Sequence, residues 1–161
     1  GLITDRSGVP LILLSADCPL VLAYDPRRMA LGIVHASWLG TVAGITTRMI
    51  EQMQKCFGCR PGDLRAAIAP SAGPDRYEVG PEVRRIFLTR WADADDYLRP
   101  HGEKFMLDLW TANRRQLTAC GVPDERIECA GLCSISDERF WSHRRDGAAA
   151  GRSALIAALR V

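Results

Sequence analysis

Apolar residues along this chain change their period several times, and each change marks an element. Residues 10–16 and 20–24 are short, nearly continuous apolar runs that read as buried strands. Cys18-Pro19 parts them, because proline cannot continue a central ladder. Asp25-Pro26-Arg27-Arg28 reads as a turn, since aspartate favours its first position and proline presets its second. Residues 29–36 return as a third apolar strand that ends at His35.

Over residues 41–56 the period lengthens. Val42, Ile45, Met49, Met53 and Cys56 recur three and four positions apart, one face of an amphipathic helix, and Gly58 lies just past its end. Residues 64–69 read as another strand, followed by a loop at 70–74. Pro81 opens a further helix with Val83, Ile86, Phe87 and Trp91 on its apolar side. The acidic stretch at 93–96 reads as a solvated loop. Asp108 caps a helix over 109–120, which Gly121 and Pro123 end. Residues 126–133 and 154–159 are the last strand candidates, with a loop at 147–151.

Strands and helices interleave and are joined by short turns. The pattern predicts an α/β or α+β fold, a layered sandwich with a central mixed β-sheet flanked by helices. A length of 161 residues fits one domain, 1–161, and 47% hydrophobic residues can fill its core without covalent staples. The six cysteines, at 18, 56, 59, 120, 129 and 133, match no small secreted scaffold and read as reduced thiols of a cytoplasmic protein. A net charge of +2 gives no basic stripe for nucleic acid. No apolar run approaches the roughly 18–20 residues of a membrane span, and no signal-peptide pattern is present. The chain opens Gly1-Leu2-Ile3-Thr4 without a methionine, which reads as a processed or truncated product.

Two strand ends carry the candidate chemistry. Cys18 and His35 close matched apolar runs, so a thiol and an imidazole can share one pocket across neighbouring strands. They could be two ligands of a metal, a nucleophile with its base, or a buried cysteine beside a structural histidine. Asp17 could orient a ligand, act as a base, or bond the turn at Pro19. Cys56-Phe57-Gly58-Cys59 is a CxxC, but Cys56 falls at a helix carboxyl end, where the dipole opposes a thiolate. Cys129 and Cys133 could join that pair in a structural zinc site, whereas Cys120 reads as packing.

Longer blocks carry a resemblance. ADCPLVL and the aspartate that follows, then GIVHASWLGT, then IAPSAGPDRYEVG, appear in that order. LDLWTANRRQL at 107–117 and CSISDERFWSHRRDGAAAGR at 133–152 follow them. Together they resemble the YfiH/FAMIN family, labelled multicopper polyphenol oxidoreductase or laccase, along essentially the whole chain. The resemblance implies an α/β/α sandwich and a zinc-dependent enzyme acting on purine nucleosides. The implied reactions are phosphorolysis of adenosine, inosine, guanosine and methylthioadenosine, with adenosine deamination. Of the family's zinc ligands, Cys18 and His35 are present here. A histidine from an amino-terminal segment has no counterpart, which implies a chain truncated at the amino terminus.

The residues also depart from the family pattern. Leu39 stands where the family carries an arginine, and Asp75-Arg76 stand where some members carry two cysteines. Cys18, His35 and Asp17 are the candidate catalytic residues, the first two as metal ligands of zinc, with copper as the alternative metal. Phosphorolysis needs cations to place the phosphate, and Arg144, Arg145 and Arg152 are the candidates because guanidinium forks match phosphate oxygens. His143 could in principle stand in for the missing third nitrogen, although no spacing supports it. The partners expected are a purine nucleoside and phosphate. Three other readings stay open: a copper polyphenol oxidase, for which three histidines (35, 101, 143) are few; a metal-free Cys–His hydrolase; and a non-catalytic scaffold.

Overall fold

The computed structural model describes residues 1–160; Val161 lies outside the described residues. At its centre is a five-stranded sheet formed by β1 (Leu2–Thr4), β3 (Leu20–Asp25), β4 (Ala30–His35), β5 (Arg65–Ile68) and β9 (Ile127–Cys129). The order is β1-β4-β3-β5-β9, antiparallel except for the parallel β5–β9 pair. Alternation along the strands divides this sheet into two buried faces. Val21, Ala23, Ala30, Val34, Ala66 and Ile68 pack under helix α2 (Ile45–Phe57) and against Leu117 of α4 (Leu109–Ala119). Gly32 lets α2 come close, since a Cβ there would lie 2.8 Å from the Met53 sulfur.

Leu31 and Ile33 point the other way. They meet a two-stranded antiparallel ribbon of β2 (Leu11–Ser15) and β10 (Ser153–Ala157), through Leu11, Leu13, Leu155 and Ala157. The first two apolar runs of the chain are therefore not ladder neighbours. β2 leaves the sheet to pair with the carboxyl-terminal strand, and of the first three runs only β3 and β4 pair with each other.

A second core lies beside the sheet. It joins α1 (Trp38–Val42), α3 (Pro81–Arg90), the inner side of α4, and a small sheet of β6 (Glu78–Val79), β7 (Leu98–His101) and β8 (Lys104–Leu107). Phe87 and Tyr97 meet edge to face there, with ring centres 6.0 Å apart.

Several expectations are corrected. The helix read over 41–56 is two helices, α1 and α2, because Gly44 takes φ +74 between them. Ile86 is exposed rather than part of the buried side of α3, which Val83 and Phe87 supply. Residues 94–97 form a 3-10 turn that buries Ala94 and Tyr97, not a solvated loop. The strand read over 126–133 stops at Cys129. The turn at Asp25 forms as read: its Oδ1 accepts the Arg27 and Arg28 backbone N–H groups at 2.8 and 3.0 Å.

Candidate active site

The ladder brings the two sequence candidates to one end of the sheet. Leu20 lies opposite His35, and the Pro19 carbonyl accepts the Ala36 N–H at 2.8 Å. Cys18 is thus carried to the end of β4 where His35 sits. Ser15 Oγ donates to the Cys18 carbonyl at 2.8 Å and fixes the bend between β2 and β3. Burial, then the neighbouring Asp17, push the Cys18 thiol up to about 11. Burial holds His35 below the usual histidine value.

Asp17 sits in the left-handed region at φ +84 and is buried. It does not bond the Pro19 turn. Its carbonyl accepts the Ala72 N–H at 2.7 Å, Oδ1 accepts Ser134 Oγ at 2.8 Å, and Oδ2 accepts the Arg144 N–H at 2.7 Å. The last contact docks the short helix α5 (His143–Asp146) beside the Cys18 bend. Arg144 then lays its guanidinium 4.9 Å above the Tyr77 ring and donates from Nη1 to the Glu78 carbonyl at 2.8 Å.

Tyr77 is a member of this cluster that sequence reasoning did not single out. It is buried, and burial first, then Cys18, raise its phenol while Arg144 opposes them. Its signal was its place in the YEV block after the 70–74 loop, where a tyrosine reads equally well as core.

Cys18 and His35 supply two donors, half of a tetrahedral zinc shell. Among the described residues no group of three or more His, Cys, Asp or Glu side chains could hold a metal ion. These residues alone therefore do not make a complete zinc site. His143 is exposed at the start of α5, and His101 is exposed on β7, beside Glu78 at 3.9 Å.

A family model described as multi-copper polyphenol oxidoreductase laccase matches residues 1–160. The chain belongs to this family. The purine nucleoside phosphorylase of Bacteroides thetaiotaomicron is 39% identical over 155 residues, covering 94% of this chain and 57% of that protein. YlmD of Bacillus subtilis, also named a purine nucleoside phosphorylase, is 35% identical over 154 residues, 94% of this chain and 55% of that one. The crystal structure of the hypothetical protein YfiH from Bacillus licheniformis superposes with a TM-score of 0.92 at 34% identity, over 98% of this chain and 60% of that one. The chain thus spans less than two thirds of the length of these relatives.

Within this family member the other candidates take separate places. Arg145 is held by both Asp146 oxygens at 2.8 Å and by the Ser134, Ile135 and Phe140 carbonyls, so it braces the 134–146 loop. Arg152 donates to the Ala150 and Gly151 carbonyls at 2.6 and 2.8 Å. Leu39, where the resemblance led us to expect an arginine, is exposed on α1. The CxxC does not converge: Cys56 is exposed, whereas Cys59 is buried, and burial and a bond to Asp25 push its thiol up to about 12. Cys133 accepts the Gly73 N–H at 3.2 Å, and hydrogen bonds from Ser136, Gly73 and Ile135 outweigh its burial to lower its thiol. Cys120 is half-buried against the α2 core, in keeping with packing.

A pocket of about 180 Å³ opens beside Asp17, walled by Ser134, Pro70 and Trp141. Its volume is below the roughly 300 Å³ at which small-molecule sites begin. A larger cavity of about 580 Å³, lined by Tyr24, Met29 and Ile156, lies at the opposite ends of β3 and β4. It is remote from the Cys18 chemistry.

Proposed function

We propose that the protein of which this chain is part is a purine nucleoside phosphorylase, with Cys18, His35, Tyr77 and Arg144 in its active site. The relatives named as purine nucleoside phosphorylases, at 35–39% identity over nearly the whole chain, carry this reading. The side chains present suit the chemistry. Phosphorolysis breaks the bond between the ribosyl carbon and the purine nitrogen and forms a carbon–oxygen bond to phosphate, while the purine takes up a proton. Arg144 presents a guanidinium that can hold the attacking phosphate. Tyr77, its phenol kept protonated, offers a hydrogen-bond donor or an apolar face at the same place.

The metal of this reading is zinc, for which Cys18 and His35 would supply two ligands. A raised thiol is a weak preformed nucleophile, whereas a bound metal would favour loss of the thiol proton and hold the resulting thiolate as its ligand. That difference favours ligation over a metal-free Cys–His hydrolase. Adenosine deamination is the second activity we assign to the same centre. Inosine, adenosine, guanosine and methylthioadenosine are the substrates to assay, with the copper oxidase of the family label as the alternative.

The test uses the full-length parent protein, metal-loaded or chelated, with inosine and phosphate. Ribose 1-phosphate and hypoxanthine should form in the loaded sample and fall away with chelator. A zinc-loaded preparation that makes no ribose 1-phosphate overturns the reading, and phenol oxidation by a copper-loaded one would replace it.

A further inference from the structure

We propose that Asp17 is a positioning residue: its carboxylate anchors the Arg144 backbone, which places the Arg144 guanidinium to bind a phosphate oxyanion. The identity of the anion rests on the phosphorylase reading. The anchoring rests on geometry alone.

Asp17 joins three stretches of chain that are remote in sequence. Ala72 bonds its carbonyl, Ser134 bonds Oδ1 from 117 positions away, and the Arg144 N–H bonds Oδ2 from 127 positions away. A non-glycine residue in the left-handed region is strained, and such strain persists where surrounding bonds over-determine it. Here both carboxylate oxygens are committed to protein donors. Asp17 thus acts on the site through the loops it ties down.

The adjacent arginines are divided in their roles. Asp146 neutralises Arg145 through a two-pronged ion pair. Arg144 has no carboxylate within ion-pair distance among the described residues. Its guanidinium rests on Tyr77 and is steered by one bond to the Glu78 carbonyl. A stacked guanidinium outside any ion pair is suited to an incoming oxyanion. Its position depends on the main chain at residue 144, which Asp17 holds. Aspartate at this position therefore sets anion affinity, not proton transfer.

The variants separate those roles. Asp17→Asn can keep both bonds, because its amide oxygen accepts the Arg144 N–H while its NH2 donates to a turned Ser134 hydroxyl. Asp17→Gly removes the anchor yet accepts φ +84 without strain, so loss of function need not come from misfolding. In the full-length protein, inorganic phosphate is titrated by calorimetry, and KM for phosphate and kcat are measured separately.

We expect Asp17→Asn to bind phosphate within about threefold of the parent, and Asp17→Gly to weaken binding and raise KM about tenfold or more. At saturating phosphate, kcat should change by less than about threefold. Asp17→Gly combined with Arg144→Ala should bind no more weakly than Arg144→Ala alone, since both remove one interaction. Three results would overturn the proposal: a kcat loss well beyond threefold in Asp17→Asn at saturating phosphate, unchanged phosphate affinity in Asp17→Gly, or no phosphate binding by the parent protein. A parent that binds phosphate but forms no ribose 1-phosphate sinks the phosphorylase reading alone, and the calorimetric series still decides the role of Asp17.

Discussion

Thr46 on α2 and Asn113 on α4, 67 positions apart, meet in a 2.7 Å hydrogen bond inside the core. Both residues are fully buried. The Asn113 amide also donates to the Leu109 carbonyl at 2.8 Å and to Thr41 Oγ1 at 3.2 Å, so one side chain bolts α1, α2 and α4 together. Replacing Asn113 with leucine leaves the Thr46 hydroxyl buried without an acceptor. The expected loss is about 2–3 kcal/mol in urea unfolding. Thr46→Val added to Asn113→Leu removes the orphan and should recover part of that loss. A double variant less stable than the sum of the single ones would show that the bond is not the bolt.

Gly44 is the joint between the helices that Asn113 ties down. Its φ of +74 ends α1 and starts α2, and a Cβ there would meet Trp91 and Thr47 only at ordinary contact distances. Backbone conformation alone therefore sets the effect of a substitution. Gly44→Ala should cost about 1–2 kcal/mol, the price of the left-handed region for an L-residue. A stability unchanged within error would mean that α1 and α2 can straighten into the single helix that the apolar period suggests.

Local rules account for what the sequence made legible. Asp25 bonds the two N–H groups of its own turn, Pro81 is the first residue of α3, and Asp108 caps α4 by accepting the Thr111 N–H at 3.0 Å. Each signal lies within a few residues of the structure it dictates. The β2–β10 ribbon was hidden because Leu13 and Leu155 pair across almost the whole chain. The β7–β8 hairpin was hidden because Arg99, His101 and Lys104 leave no apolar alternation to read. The site divides in the same way. Cys18 and His35 stood out as ends of strands that pair locally. The Asp17 contacts to Ser134 and Arg144, and the stacking of Arg144 on Tyr77, are non-local and left no mark on spacing.

Asp25 should govern acid sensitivity. Burial raises its carboxyl, but the Arg28 and Arg27 N–H groups, the Cys59 thiol and the Arg28 charge outweigh it, and the net direction is down. A carboxyl lowered in the folded state contributes stability above its unfolded value, near 4 for aspartate. That stability is lost as pH falls through the lower folded value. Asp25→Asn should therefore destabilise the protein at pH 7 and lessen its loss of stability below about pH 4, read from urea midpoints across pH. Parallel pH curves for the two proteins would remove Asp25 from the acid response.

Cys18 should titrate late in the metal-stripped parent protein. Burial, then Asp17, push its thiol up to about 11, so only about one molecule in a thousand carries the thiolate at pH 8. The thiolate is the reactive form, and its fraction grows tenfold per pH unit until the thiol titrates. Alkylation by iodoacetamide, followed on the Cys18 peptide by mass spectrometry, should accelerate about tenfold per unit from pH 8 to 10. Cys56 is exposed, and on the same digest its alkylation shows that the reagent reaches an open thiol at each pH. Because burial is the larger cause, Asp17→Asn should move the Cys18 profile only modestly toward lower pH. Zinc should abolish the acceleration, since a ligated thiolate is withheld from the reagent. A profile that levels off near the free-peptide thiol value of about 8.5 without metal would mean that Cys18 is solvated, and a rate unaffected by zinc would remove it from the metal centre.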